Sequence, residues 1–286
     1  MIRAMRDLLV VDDWLDAATC RRLMEDGDAS CPTSSGRTFH GGRHYVPNTT
    51  DDWHTLIEGS QAWRELEARL SSPDFLRWIV SRLDGDGVDT DLTPTRVYSG
   101  RRRTVERLLR GDDRLDVVGP CRRLARRLHH LQLGLRRRAL YRWHRLMGRR
   151  TVVELLCDYS RATDGYGRVV HRDSDMRRYV FLLYLNALDE GASGGDLDIY
   201  RPLEELEKSP AWPEEDQCVL EDSVRPAQGR LVVFRNAHDS YHGVTTMTGH
   251  GTVRHFVYGG FTQLGGSNPN MEGSAGSIPT EFHLYA

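Results

Sequence analysis

Past residue 150 the chain gives up helical spacing for strand-like spacing, and that switch limits the possible folds more than any other feature. Short runs rich in β-branched and aromatic residues cover 151–159, 178–186, 196–200, 230–235, 242–247 and 252–261. Clusters of Gly, Asp, Asn or Pro separate most of them. Many short strands with turn signals between them suit an antiparallel sandwich or jelly roll. An acidic insertion, 202–222, interrupts the runs. The expected fold class is mainly β with flanking helices (α+β), built on a jelly-roll core.

The part before residue 150 reads as support for that core. Residues 7–14 are apolar and β-branched, and Asp16 is placed to cap a helix over 17–24. A second helical pattern runs over about 60–83. From 96 to 150 the composition shifts to 18 arginines against four acids, which leaves the rest of the chain acidic, since the whole carries −2. Leu124, Leu128, Leu131 and Leu135 recur there at helical spacing, so a basic amphipathic helix or helix pair is expected. The expectation is one domain over 1–286. It comprises an N-terminal part (1–150) with the Arg-rich helical segment (96–150), a core (151–262), and a Gly/Ser/Pro-rich tail (263–286).

Composition excludes several classes. With 39% hydrophobic residues the 286-residue chain can bury a core. A net charge near zero does not suit a polycation built for nucleic acid. No apolar run approaches the roughly 18 residues that span a bilayer, and the N-terminus does not read as a signal peptide. Five cysteines without a CxxC pair argue against a disulfide framework or a Cys-based zinc site. The expected location is a reduced, cytoplasmic compartment.

The chemistry concentrates at His171-Arg172-Asp173. On an extended chain residues i and i+2 point to one side, so one imidazole and one carboxylate can reach one metal ion. His242, at the head of an apolar strand, is the third expected ligand, with His238 as the competing histidine. Two histidines and a carboxylate on one face form the facial triad of non-haem Fe(II) oxygenases, which need open positions for cosubstrate and O2. Asp175 reads as a solvated loop acid. If 242–247 and 252–261 form a hairpin, Arg254 lies opposite His242. An arginine there can take a carboxylate in bidentate fashion.

From about 150 to 262 the chain resembles the Fe(II)/2-oxoglutarate-dependent dioxygenase superfamily, in its prolyl 4-hydroxylase-like branch. Four blocks carry the resemblance: 159–173 with its HxD, YVFLLYLN at 179–186, GGDL at 194–197, and 229–244 followed by 251–261. The resemblance implies a double-stranded β-helix. It implies Fe(II) held by His171, Asp173 and His242, with O2 and 2-oxoglutarate as cosubstrates. It assigns the distal carboxylate of 2-oxoglutarate to Arg254, assisted by Tyr184, and places Tyr159 near the cosubstrate. Asp173 keeps the carboxylate that related halogenases replace, which favours hydroxylation.

The implied activity is hydroxylation of an unactivated C–H bond of a small molecule, an amino acid or a biosynthetic intermediate, with release of succinate and CO2. A protein or peptide side-chain hydroxylase is the alternative, and a binding module that lost the chemistry ranks last. The 96–150 segment could dock a carrier protein or another anionic partner. It could equally neutralise the acidic remainder internally. No membrane partner is expected, and nucleic acid is disfavoured.

Overall fold

The computed structural model describes residues 2–4, 7–30, 37–39, 42–48, 50–84, 97–99, 153–175, 177–204 and 210–263. In chain order the N-terminal part gives strands β1 (Ile2–Ala4) and β2 (Leu8–Val11) and helix α1 (Ala17–Ser30). It continues with β3 (Arg37–Phe39), β4 (Arg43–Pro47), α2 (Asp51–Gly59), α3 (Gln61–Leu70), α4 (Pro73–Leu83) and β5 (Val97–Ser99). The remainder gives β6 (Val153–Ala162), β7 (Arg168–His171), β8 (Arg177–Tyr184) and β9 (Leu197–Pro202). It closes with β10 (Cys218–Val224), β11 (Leu231–Arg235), β12 (Tyr241–Val244) and β13 (Arg254–Gln263).

Two sheets face each other as a jelly roll. The large one runs β1-β2-β11-β8-β13-β6-β4-β3, with β5 pairing in parallel beside β6. The small one runs β10-β9-β12-β7, all antiparallel. Strands of the large sheet are apolar on both faces because both are covered. Leu183, Val233 and Val257 face the helices, while Leu182, Val232 and Phe256 face the small sheet. This accounts for the unbroken apolar reading of 179–185, where alternation would mark a strand with one wet face.

The helices cap themselves as local chemistry dictates. The Asp16 carboxylate accepts the Thr19 N–H at 2.8 Å and opens α1, which runs past the expected residue 24 to Ser30. The expected helix over 60–83 is two helices. Ser60 caps α3, and Ser72 followed by Pro73 restarts the chain as α4. Helix α2, with its Thr50 cap, was not expected. Trp63 packs edge-on against Trp53 and Tyr159, at 5.4 and 5.1 Å between ring centroids, and ties the helical layer to β6. Truncating a fully buried tryptophan like this costs about 3–5 kcal/mol.

Other expectations change as well. Strands β7 and β10 were not foreseen, and β10 begins inside the acidic insertion and runs two residues past it. Of the Arg-rich segment only Val97–Ser99 is described, and it is strand rather than helix. The helical expectation for the rest of 96–150, and the tail beyond 263, lie outside the described residues. The 242/254 hairpin is overturned. Strand β12 pairs with β7 and β9 in the small sheet, whereas β13 pairs with β6 and β8 in the large one. The link between them crosses from sheet to sheet, and its edge is already satisfied by the 193–196 loop, through Gly195 N–H to Thr245 O and the Ser193–Thr248 bridge. Among the described residues no helix is long and apolar enough to cross a membrane.

Candidate metal centre

The pairing of β12 with β7 sets His242 directly across from His171. Their rings lie 4.3 Å apart between centroids. Asp173 follows two residues later, and one ligand atom from each of the three lies within 4.8 Å of the others. His171 Nδ1–H donates to the Val169 carbonyl at 2.9 Å, which fixes the tautomer and leaves Nε2 with a free lone pair. His242 Nε2 stands 3.6 Å from Asp173 Oδ2. The loop that carries Asp173 is pinned by Asn236, whose amide donates to the carbonyls of Ser174 and Arg177, and by Arg172 N–H to Ala211 O.

The protonation states suit metal binding. Burial pushes the His242 imidazole down to about 3, helped by the neighbouring His171, and burial also lowers His171. Burial alone would raise the Asp173 carboxyl. Arg177, then the two histidines and the Tyr258 hydroxyl, reverse that and hold it well below the usual carboxylate range. Two neutral imidazoles and one carboxylate can therefore take a divalent cation near neutral pH without first losing protons.

Arg254 is fully buried and opens β13 opposite Ala162 of β6. Its guanidinium carbon lies 4.6 Å from the Phe256 ring centroid, 4.9 Å from Tyr184 and 5.9 Å from Tyr166. One nitrogen donates to the Gly195 carbonyl. Its Nε and Nη2, and the Tyr184 hydroxyl, are buried with no hydrogen-bond partner among the described residues. Three buried polar atoms left open cost free energy unless something completes them. A carboxylate would complete them, and it matches a guanidinium in bidentate fashion.

The Gly194-Gly195 turn makes this corner possible. Both residues have positive φ, and a Cβ on Gly194 would fall 1.9 Å from the Thr246 carbonyl oxygen. That close approach delivers the Gly195 carbonyl to Arg254.

Other sequence-predicted residues go elsewhere. Tyr159 does not reach the cosubstrate corner. It sits opposite Val257 and shares its face, toward the helices, where its hydroxyl bonds Asp28 and His255. The physical reason is strand parity, since Arg254, Phe256 and Tyr258 take the other face of β13. His255 faces the helical side, as expected of Arg254's neighbour. Asp175 is buried and paired to Arg172 at 2.6 Å, not solvated. The His238 side chain is 43% exposed and stands outside the cluster. Sequence reasoning missed Tyr258 and Arg177, which both bond Asp173. The period of two along β13, from Arg254 through Phe256 to Tyr258, was the available signal.

The donor set and the open Arg254–Tyr184 corner fit a metal together with a chelating ketoacid that carries a second carboxylate. Phe234 packs against His242 at 4.7 Å and belongs to the inter-sheet cluster that holds Tyr184 and Phe256. The metal ligands and the guanidinium thus border one core.

Residues 157–261 match the family model of the 2OG-Fe(II) oxygenase superfamily. No curated protein matches the sequence. Among solved structures the chain is similar to a Pseudomonas putida prolyl-4-hydroxylase, at 15% identity over 91% of this chain and 95% of that one, with a TM-score of 0.49. It is similar to a non-heme alpha-ketoglutarate-dependent carbocyclase from nogalamycin biosynthesis, at 9% identity over 90% and 80%, TM-score 0.49. It is also similar to a prolyl 4-hydroxylase from Phytophthora capsici, at 14% identity over 93% and 61%, TM-score 0.45.

Proposed function

We propose, from the match of residues 157–261 to the family model of the 2OG-Fe(II) oxygenase superfamily, that the protein hydroxylates an unactivated C–H bond of a small molecule. Fe(II), O2 and 2-oxoglutarate are the cofactor and cosubstrates that the family brings. When bound, they supply the oxidising power, with 2-oxoglutarate leaving as succinate and CO2. The chain's own residues hold and orient. His171, Asp173 and His242 hold the metal, and Arg254 with Tyr184 takes the distal carboxylate of 2-oxoglutarate.

The observation that carries the choice of a small molecule is a cavity of about 390 Å³. It opens between β9–β10 and β2–β11, and Phe234 forms part of its wall. Because the same ring packs on His242, the cavity is one side chain away from the metal triad. Its volume lies in the range of small-molecule sites. Leu8 and Ile199 give it apolar surface, while Arg201, ion-paired with Asp7, Glu221 and Asp239, gives it a charged wall.

A peptide side-chain hydroxylase is the second reading. Exposed Val169 and Trp212 favour it, because they flank the His171–Asp173 loop, Trp212 through its neighbour Ala211. An extended chain could lie across them.

The test begins with anaerobic addition of Fe(II) and 2-oxoglutarate to the protein. A visible charge-transfer band is expected, and it should fade in Asp173→Ala and Arg254→Ala. Succinate release is then followed with amino acids, small amines and carboxylates, and with proline-containing peptides. Stimulation by a free small molecule supports the first reading, and stimulation by peptides alone replaces it with the second. A folded, iron-loaded protein without the band would remove both.

A further inference from the structure

The two oxygens of Asp173 have unequal surroundings. Oδ1 is 2.8 Å from the Tyr258 hydroxyl and 3.3 Å from Arg177 Nη1. Oδ2 is 3.0 Å from the same hydroxyl and 3.6 Å from His242 Nε2. The Tyr258 oxygen itself accepts a hydrogen bond from Arg177 Nη1. Its single proton is therefore free to go to the carboxylate, whose two oxygens both lie within reach, and Oδ1 alone also takes Arg177. Arg177 Nη1 carries two hydrogens, so one can serve Tyr258 and the other Oδ1.

The ring that carries this hydroxyl is held firmly. The guanidinium carbons of Arg43 and Arg177 lie 5.3 and 5.1 Å from its centroid. Arg43 is fixed in turn by Asp158 at 2.7 Å and Ser160 at 2.9 Å. Residues of four strands of the large sheet, β4, β6, β8 and β13, thus hold the Tyr258 ring beside the Asp173 carboxylate.

We propose that Tyr258 and Arg177 are positioning residues that make Asp173 a one-oxygen ligand. They occupy Oδ1 and leave Oδ2, the oxygen turned toward His242, for the metal. A carboxylate can ligate through one oxygen or two. Ligation through both would fill a position that a chelating ketoacid or O2 requires, and a facial triad is useful only while those positions stay open. The inference rests on the triad being a metal site, and Mn(II) binding by the parent tests that separately.

The experiment uses the full chain loaded with Mn(II), and compares the parent with Tyr258→Phe and Arg177→Gln. Tyr258→Phe removes one oxygen and keeps the ring between its two guanidiniums, so it is the variant expected to fold. Water enriched in the magnetic isotope of oxygen broadens the Mn(II) paramagnetic resonance lines and counts bound waters. Dissociation constants are measured for Mn(II), and for 2-oxoglutarate on the Mn(II)-loaded protein. The expected result is one bound water fewer in Tyr258→Phe, Mn(II) affinity retained, and 2-oxoglutarate binding weakened by roughly tenfold or more. A purely structural role would lower both affinities together. An unchanged water count in both variants, or a parallel loss of the two affinities, would overturn the proposal. A parent that binds no Mn(II) would overturn the metal assignment and this proposal with it.

Discussion

His242 lies directly opposite His171 on neighbouring antiparallel strands, with the two rings 4.3 Å apart. The metal centre therefore depends on register in the small sheet. A slip of one residue would turn one imidazole to the other face. It also follows that neither histidine can substitute for the other. His171→Ala, Asp173→Ala and His242→Ala should each weaken Mn(II) binding by more than the roughly hundredfold typical of lost supporting contacts. His238→Ala, with its side chain 43% exposed, should leave Mn(II) binding unchanged. Titration followed by paramagnetic resonance checks all four. A large effect at His238 would show that the third ligand is misassigned.

Arg254 carries an opposite pair of consequences. Buried with two nitrogens unpartnered among the described residues, its guanidinium costs the ligand-free protein stability. Arg254→Met keeps much of the apolar contact with Phe256 and removes the charge. The variant should melt at the same temperature as the parent or higher without ligand, yet lose the rise in melting temperature that 2-oxoglutarate gives the metal-loaded parent. Each charged hydrogen bond lost is worth about 1.5–3 kcal/mol, so 2-oxoglutarate affinity should fall by more than about tenfold. Arg254→Lys should not restore it, because an ammonium cannot present two parallel donors. Thermal melts with and without 2-oxoglutarate decide the matter.

The parts of this site that were legible in the sequence are those governed by local spacing. HxD places two ligands from three residues, and Gly194-Gly195 announces a tight turn that positive φ confirms. What stayed hidden depends on which sheet each strand joins. The arithmetic that put Arg254 across from His242 assumed a hairpin, but the intervening link changes sheets. The place near the cosubstrate that the resemblance implied for Tyr159 also depends on a long-range fact, since its pairing with Val257 fixes which face it takes. Strand β7 is short, and Val169 at its middle is 75% exposed, so little of an apolar pattern marks it. Arg177 drew no expectation from the sequence, because only the packing of β8 against β13 buries it against Tyr258 and Asp173.

The new position of Tyr159 gives a separable prediction. Its hydroxyl bonds Asp28 at 2.8 Å and His255 at 2.8 Å, at the join of β6 with the helical layer. Tyr159→Phe should destabilise the fold by about 1 kcal/mol and leave the charge-transfer band with Fe(II) and 2-oxoglutarate unchanged. Tyr184→Phe should do the reverse, weakening 2-oxoglutarate binding with little loss of ligand-free stability, since its hydroxyl has no partner among the described residues to lose. Denaturant melts beside ketoacid titrations of both variants would show it. Weakened ketoacid binding in Tyr159→Phe would return that residue to the site.

Acid should unfold the metal-free protein through its buried imidazoles. His242 is held neutral in the fold, pushed down to about 3 chiefly by burial and secondarily by His171, whereas an unfolded histidine titrates near 6.5. A folded value below the unfolded one means the unfolded chain binds the extra proton first. The stability tied to this group is therefore whole above pH 6.5 and drains away as pH falls from there toward 3. Each pH unit in that window costs about 1.4 kcal/mol per such group. His242→Gln removes one of them. Its unfolding free energy should gain on the parent's by that amount for each unit between pH 6 and pH 4, whatever the offset at pH 7. His171 shifts in the same direction and steepens the acid limb of both proteins alike. Urea melts of chelator-treated parent and variant across this range measure the difference, and a difference that stays constant with pH would mean that His242 is not held neutral in the fold.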